Sequence, residues 1–270
     1  MGGAGCFDVE IGGATDVETG VGREGFVAED GEAGYCFEHW FNYDMASKSA
    51  FKGFPAEGME FLRDLKENND REWFTPRKAV FQTQVLGPMV ELVTLLHGEM
   101  LRFAPNYVGE AKKCVFRIYR DTRFAKDKTP YKTHVAAAMW RNGGDKAGTA
   151  GFYFSVSPEE IEVGGGLYGA PPEVLLKVRQ YVAENHKAFR KTFTGELWGE
   201  SAARAPKGFD AAHPALDLIR HKHFAMMESL SPELATSAKL FPTLVKRFEA
   251  MTPFVDFVNR PLALTLGSDG

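Results

Sequence analysis

Two short turn-forming stretches in the middle of the chain constrain the fold more than any other feature of the sequence. Residues 133–141, 149–157 and 161–166 have the composition of β-strands, and the turn-forming stretches 142–145 (NGGD) and 158–160 (PEE) lie between them. Such short connections join antiparallel neighbours, because a parallel crossover needs about a dozen residues or more. The sequence therefore predicts an antiparallel sheet in this region.

A fourth strand is predicted immediately upstream, over residues 113–124, where polar and apolar side chains alternate. Apolar residues at helical spacing dominate on both sides of these strands, over about 55–101 and again from 172 to 258. Strands linked by hairpins between two helical regions are typical of an α+β domain. We expect N-terminal helices, an antiparallel four-strand meander and a C-terminal helical half, in a single domain over residues 45–264.

The first 44 residues differ sharply in composition from the rest. They contain ten acidic residues, one basic residue and ten glycines, whereas residues 45–270 contain 26 acidic and 31 basic residues. A segment of this kind buries little apolar surface, so we expect it to be disordered. It is either an acidic tail that shields a basic body or a stretch upstream of a true start at Met45, which the abrupt change favours. Residues 265–270 are expected to be a frayed end.

The distribution of apolar residues and cysteines indicates the compartment. No apolar run approaches the roughly 18 to 20 residues that span a bilayer, and the N-terminus lacks the pattern of a secretory signal. Three cysteines, Cys6, Cys36 and Cys114, cannot form a disulfide framework. We expect a cytoplasmic protein that does not contact a membrane. The oligomeric state does not follow from the sequence.

Residues 112–134 are the segment most suggestive of chemistry, because eight of the 23 are Lys or Arg and two are Asp. The strand period assigns one set of side chains to the core: Cys114, Phe116, Ile118, Arg120, Thr122 and Phe124. The opposite face carries Val115, Arg117, Tyr119, Asp121 and Arg123. Charges on such a face must be solvated, paired or bound to a ligand.

The leading hypothesis is a site for a small phosphate- or carboxylate-bearing ligand, since guanidinium groups match these anions in a bidentate manner. The residues assigned to ligand binding are Arg117, Arg120, Arg123, Lys126, Lys128, Lys132 and Gly165. Those assigned to hydrogen bonding or proton transfer are His134, Tyr119 and Asp121. Chemistry at the ligand would be metal-independent hydrolysis or transfer at a phosphoester. The alternative is a solvated face on which charges such as Arg117 and Asp121 pair.

Small residues in the neighbouring strands have two interpretations. Residues 136–138 (AAA) and 164–166 (GGG) either leave room above the sheet or allow a helix to pack closely. Residues 164–169 also match the G-x-G-x-x-G pattern, but the antiparallel setting and the following Pro171 and Pro172 argue against a dinucleotide site.

A metal centre has little support in the sequence. The best cluster is His213, His221 and His223 with nearby aspartates, and it lacks the spacing of a known metal motif. We predict neither a metal nor a cofactor.

Two other function classes remain open. Tyr119, Phe124 and Tyr131 are interleaved with the basic residues, as in modules that stack nucleic-acid bases, although the net charge of +5 over residues 45–270 is modest. The third class is a non-enzymatic interaction protein whose basic strand faces solvent or a partner.

Residues 116–124 (FRIYRDTRF) and 126–134 (KDKTPYKTH) resemble the signature of an uncharacterised bacterial and fungal family known as domain of unknown function 2461. Further matching stretches occur in the same order: 68–74 (NNDREWF), 163–168 (VGGGLY) and 206–214 (PKGFDAAHP). The resemblance covers about residues 51–262 and implies that the family domain has no counterpart of residues 1–44, which supports a start at Met45. It implies kinship and carries no activity to this chain.

Overall fold

The described part of the chain begins with two buried phenylalanines followed by a helix. The computed structural model describes residues 51–144 and 146–262, so the predictions for residues 1–44, for a start at Met45 and for 265–270 lie outside it. Helix α1 (Ala56–Glu67) buries an apolar stripe at the predicted spacing, namely Met59, Phe61, Leu62 and Leu65. The preceding Phe51 and Phe54 are buried against one another with ring centroids 5.7 Å apart.

One continuous helical segment of 33 residues follows, from Arg71 to Phe103. It consists of α2 (Arg71–Val80), a π-helical segment (Phe81–Leu86) and α3 (Gly87–Phe103). The sequence predicts a helix start at Thr75-Pro76, with Thr75 as the N-cap and Pro76 as the first helical residue. This prediction is wrong, because the Asp70 carboxylate accepts a hydrogen bond from the Trp73 N–H at 2.8 Å and caps the helix five residues earlier. The sequence also predicts a break at Gly87-Pro88, which is wrong because the π-helical segment leads directly into α3.

Of the two prolines in this long helix, Pro76 and Pro88, the second is accommodated by the π-helical backbone on its N-terminal side. Pro88 has no N–H to donate to the Gln84 carbonyl, four residues before it. That carbonyl lies against Gly58 of α1, where a Cβ atom would come within 2.2 Å of the oxygen. Gly58 therefore allows α1 to approach the π-helical segment at the point where the regular helical hydrogen bonding is interrupted.

By length and composition alone, the Arg71–Phe103 segment could cross a membrane. No segment of this kind is predicted from the sequence. A third of its apolar 18-residue window is buried inside the protein. The stripe of α3 that packs into the core consists of Met89, Leu92, Val93, Leu96, His97 and Met100. Core helices of soluble proteins have the same length and composition, so this helix does not by itself indicate a membrane protein.

The sheet has four antiparallel strands in the order β1-β2-β3-β4. The strands are β1 (Val135–Trp140), β2 (Gly151–Val156), β3 (Ile161–Leu167) and β4 (Phe224–Leu230). The first three follow the predicted hairpins. The fourth pairs with β3 from Ile161 opposite Leu230 to Leu167 opposite Phe224, after a connection of more than 50 residues.

The predicted strand over residues 113–124 is wrong. Its start is a short helix, α4 (Ala111–Cys114). The following residues pair with β1 through an isolated bridge between Val115 and Ala137, and then with their own continuation through a bridge between Tyr119 and Tyr131. The alternating residues 113–124 therefore pair mainly within their own segment and are not a strand of the sheet. The fourth strand of the sheet is β4.

The C-terminal half consists of α5 (Pro172–Glu184), α6 (His186–Thr192), α7 (Leu216–Ile219) and α8 (Leu240–Asn259). Helix α8 packs on β3. It also places Phe248 5.2 Å from the Phe152 ring of β2. Helices before and after an antiparallel four-strand sheet confirm the α+β prediction.

Candidate functional site

The basic segment folds as a two-armed ribbon, here called the basic ribbon (residues 116–134). The Arg120 N–H donates to the Pro130 carbonyl at 2.9 Å, and the Lys132 N–H donates to the Ile118 carbonyl at 2.8 Å. The first arm is attached to the sheet by the Phe116 N–H, which donates to the Ala136 carbonyl at 2.9 Å. The second arm leads directly into β1. The two arms are therefore held at fixed separation beside the edge of the sheet.

The second arm is anchored to the junction between α1 and α2. The Asn69 amide donates to the Tyr131 carbonyl, and the Asn69 amide oxygen accepts from the Tyr131 N–H, both at 3.0 Å. The side chain thus satisfies both backbone groups of a buried residue. This contact joins two of the stretches that resemble the family signature, although they are far apart in the sequence.

Charges at the ribbon tip are mostly neutralised by one another. Arg120 forms an ion pair with Asp127 at 2.5 Å. The Thr129 N–H and the Arg120 guanidinium lower the pKa of Asp127 to about 2. Arg123 bonds both carboxylate oxygens of Asp121, at 3.0 and 2.8 Å. Three of the predicted site residues, Arg120, Asp121 and Arg123, therefore serve the internal structure of the tip.

Two lysines and a phenylalanine complete the tip. The Lys128 ammonium donates to the Thr122 carbonyl at 2.9 Å. Lys126 is exposed and forms no hydrogen bond or ion pair with the described residues. The assignment of Phe124 to the core face is wrong, because 93% of this residue is exposed. The ribbon turns away from the sheet before residue 124, so the strand period no longer decides which side chains are buried.

A cleft of about 240 Å³ lies between the first ribbon arm and the long helix. We call it the cationic cleft. Its lining residues are Phe74, Lys78, Phe81, Gln82, Leu86, Phe116, Arg117, Ile118 and Tyr119. Aromatic and aliphatic side chains form most of its wall, and Lys78 and Arg117 supply positive charge. Tyr119 adds a hydroxyl from a ring that is 47% exposed.

Lys132 lies beside this cleft and is close to a second cation. Its ammonium is 5.1 Å from the centroid of the Phe116 ring, which lines the cleft. Burial and the nearby Arg117 guanidinium lower the pKa of Lys132. Neither Arg117 nor Lys132 has a hydrogen bond or ion pair with a carboxylate in residues 51–144 or 146–262. Asp121, whose pKa Arg117 also lowers, is already bonded to Arg123.

His134 lines a different cavity, a pocket of about 260 Å³ that we call the His134 pocket. Polar side chains line it throughout: Lys66, Thr133, His134, Ser155, Ser157, Glu159, Glu160 and Glu162. Burial and the Lys132 charge lower the pKa of His134, whereas Glu162 acts weakly in the opposite direction. A neutral imidazole therefore lies beside a carboxylate, and Asp121, which the sequence analysis assigned to proton transfer with His134, does not line the pocket.

The structure brings together Arg117, Tyr119 and Lys132 of the predicted site and places His134 next to Lys132. Gly165 lies elsewhere: a Cβ atom at this position would come within 2.9 Å of a Val255 methyl group. The helix-packing interpretation of the glycine run therefore holds at Gly165, which faces α8 rather than the basic ribbon.

Sequence reasoning missed the helical wall of the cleft. Lys78, Phe81 and Gln82 lie in a helix whose spacing predicts only burial, and no signal in the sequence associates them with residues 116–119. Glu162 was missed for a similar reason, because its proximity to His134 depends on the register between β1, β2 and β3. In the described residues no group of three or more His, Cys, Asp or Glu side chains is arranged to hold a metal ion.

The family assignment follows from residues 57–257, which match the family described as "Conserved hypothetical protein (DUF2461)". This match covers most of the chain, and the chain belongs to that family. No curated protein and no solved structure gives a significant match. The resemblance expected from the basic ribbon and its companion stretches is thus confirmed.

Proposed function

We propose that the protein binds a small ligand that carries a phosphate or carboxylate group on an apolar body. The observation that carries the proposal is the pair Arg117 and Lys132, two mutually repelling cations that form no ion pair or hydrogen bond with a carboxylate of the described residues. An anion between them would relieve that repulsion. The aromatic walls of the cationic cleft supply a surface for the apolar part of the ligand.

The roles within the cleft follow from the chemistry of each side chain. Arg117 provides planar, bidentate donors, and Lys132 provides a point charge from the adjacent arm. Lys78 adds a third cation from the helical wall, and the Tyr119 hydroxyl supplies a neutral donor. Phe74 and Phe81 contact the apolar body. Arg120, Arg123 and Lys128 support the ribbon instead of binding the ligand.

The test is a titration of the full chain with phenyl phosphate, followed by calorimetry and by the melting temperature. Binding should raise the melting temperature, and Arg117→Ala should weaken binding about 10- to 150-fold, as expected for loss of a charge-assisted hydrogen bond. Arg63→Ala is the matched control, because Arg63 is exposed on α1 and forms no hydrogen bond or ion pair with the described part of the chain. Equal affinity in the parent and in Arg117→Ala would refute the proposal.

Two further probes define the ligand class. Inorganic phosphate should bind more weakly than phenyl phosphate, because it leaves the aromatic wall uncovered. Benzyl alcohol should not bind measurably, because it lacks the anion. The proposal is confined to binding, since His134 lines the neighbouring pocket. Release of phosphate from phenyl phosphate by the parent but not by His134→Gln, with binding retained, would extend it to metal-independent hydrolysis.

A second candidate function, nucleic-acid binding, is favoured by the exposure of Phe124 at the ribbon tip beside Arg123 and Lys126. An exposed ring flanked by cations can stack on a base while the cations contact phosphates. Affinity for a short single strand should then fall steeply with salt and should weaken in Phe124→Ala. Binding of phenyl phosphate without any binding of the strand would exclude this function.

A further inference from the structure

A cluster of three rings lies at the end of the β3–β4 pair, remote in sequence from the basic ribbon. Tyr168 directly follows β3 and His223 directly precedes β4, so the register of Leu167 opposite Phe224 makes them neighbours. Trp198 lies beside them, because its backbone N–H donates to the Ala225 carbonyl of β4 at 2.7 Å. We call these three side chains the aromatic platform.

The rings of the aromatic platform contact one another and also remain open to solvent. The Tyr168 centroid is 4.6 Å from that of His223 and 5.6 Å from that of Trp198. Tyr168 is nevertheless 65% exposed, and Trp198 is 40% exposed. Large aromatic surfaces are costly to leave in water, so a grouped and exposed set of rings indicates a surface that another group covers.

Two glycines lie close to the His223 ring, and one of them donates a hydrogen bond to it. The Gly169 N–H donates to His223 Nδ1 at 3.2 Å. On the other side, a Cβ atom at Gly199 would come within 3.2 Å of His223 Cδ2. Both glycines have positive φ, +63° and +90°, which disfavours a side chain at either position. Since Nδ1 accepts a hydrogen bond, the ring hydrogen of the neutral imidazole lies on Nε2.

We propose that Tyr168, Trp198 and His223 form a binding site for an unpaired nucleobase. A base has flat faces that stack on aromatic side chains, and its edge carries ring nitrogen and carbonyl acceptors for the His223 Nε2–H. A sugar fits less well, because hydroxyl groups need acceptors. Glu200, the nearby carboxylate that influences His223, is already paired with Lys222 at 2.5 Å.

The neutral state of His223 is consistent with this role. Burial and the Lys222 charge lower the pKa of His223, so near pH 7 its Nδ1 remains able to accept from Gly169. The platform shares no residue with the cationic cleft. The inference therefore stands or falls separately from the proposed anion site.

The experiment uses the full chain and follows the indole N–H of Trp198 and the His223 ring by NMR while adenosine or ribose is added. Adenosine carries no phosphate, so it does not test the cationic cleft. Adenosine should shift both resonances in a saturable manner, whereas ribose should not. Binding of ribose as tightly as adenosine would overturn the proposal, and so would the absence of any saturable shift with adenosine.

Two substitutions at one position provide the matched control. Tyr168→Ala should weaken adenosine binding roughly 5- to 150-fold, the range found for loss of one stacking partner, and Tyr168→Phe should retain most of it. Tyr168 is solvent-exposed, so the melting temperature should change little in either variant. Equal affinity of the parent and Tyr168→Ala would contradict a stacking role for the platform.

A last arm distinguishes the two sources of a base. A hexamer of deoxyadenosine that binds more than tenfold tighter than adenosine, through the same resonances, would assign the platform to single-stranded nucleic acid. Affinity equal to that of adenosine would assign it to free nucleosides or nucleotides. Both results support the proposed site, and a hexamer that shifts only basic-ribbon resonances while adenosine shifts none would reject it.

Discussion

Phe74 and Tyr131 stack nearly face to face, with ring centroids 4.2 Å apart and ring planes 20° apart. Phe74 belongs to α2, which forms one wall of the cationic cleft, and Tyr131 belongs to the ribbon arm that carries Lys132. The stack therefore sets the separation between the helix and the basic ribbon. Offset stacking of this kind contributes about 0.5 to 1.5 kcal/mol beyond the area that it buries.

The Asn69–Tyr131 anchor gives a first prediction. Asn69→Ala removes both hydrogen bonds to the backbone of a buried residue and should lower the free energy of unfolding by about 1 to 3 kcal/mol. Chemical denaturation provides the measurement. Asn68→Ala is the control, because the Asn68 side chain bonds only the exposed Asp64 carbonyl and should cost less. Equal losses for the two variants would show that the ribbon does not depend on Asn69.

Two helical glycines should respond to alanine in opposite directions. Gly58→Ala places a methyl group against the Gln84 carbonyl and should destabilise the protein by about 1 to 3 kcal/mol. Gly98→Ala meets no atom within 4 Å and should stabilise α3 by about 0.5 to 1 kcal/mol, because alanine is the better helix former. The melting temperature should fall in Gly58→Ala and rise in Gly98→Ala. Tolerance of Gly58→Ala would mean that α1 can move away from the π-helical segment.

Stability should decrease as the pH falls below about 6.5, in part through His97. Burial lowers the pKa of His97 below its ordinary value of 6.5. The unfolded chain therefore binds more protons between the folded and the unfolded pKa, so stability is complete above 6.5 and is lost towards the folded value. Urea unfolding from pH 5 to 8 should show a shallower slope in His97→Gln than in the parent. An identical slope would exclude His97 as a contributor.

Cys114 should behave as a protected thiol. It is buried with its Sγ atom 3.8 Å from His97 Nε2, and burial raises its pKa. In a variant with Cys6 and Cys36 replaced by serine, a thiol reagent should modify Cys114 slowly in buffer and rapidly in denaturant, because the thiolate is the reactive form. Modification in buffer at the rate of a free cysteine would contradict the burial of this residue.

Local signals were sufficient for much of the fold. The spacing of Met59, Leu62 and Leu65 predicted α1, and the turn residues around Gly143 and Pro158 predicted the two hairpins. The fourth strand was not predictable in this way. Strand β4 pairs with β3 across a connection of more than 50 residues, and no local pattern specifies so distant a partner.

The residue types of the candidate site are apparent in the sequence, whereas their ion pairing is not. The sequence correctly indicated a dense group of cations, but it did not show which of them are neutralised. Arg120 reaches Asp127 because the ribbon reverses direction at its tip, whereas Arg123 pairs with Asp121, two residues before it. Arg117 lies on the arm before that reversal and is left facing the helix. Such pairings depend on the path of the backbone. The alternation of residues 113–124 predicted a regular strand, which is not the path that the backbone takes.

The π-helical segment has a consequence for how this family domain can change in length. A π turn contains one residue more than an α turn, so the extra residue is absorbed locally and the flanking helices keep their rotational phase. Deleting one residue within Phe81–Leu86 would leave an unbroken α-helix whose two apolar stripes still face the core. The same deletion at Thr94 would rotate the remainder of α3 by about 100°. A length change within Phe81–Leu86 therefore preserves the packing of both flanking helices, but only together with replacement of Pro88, because a regular α-helix at this point would bring the proline ring against the carbonyl four residues before it.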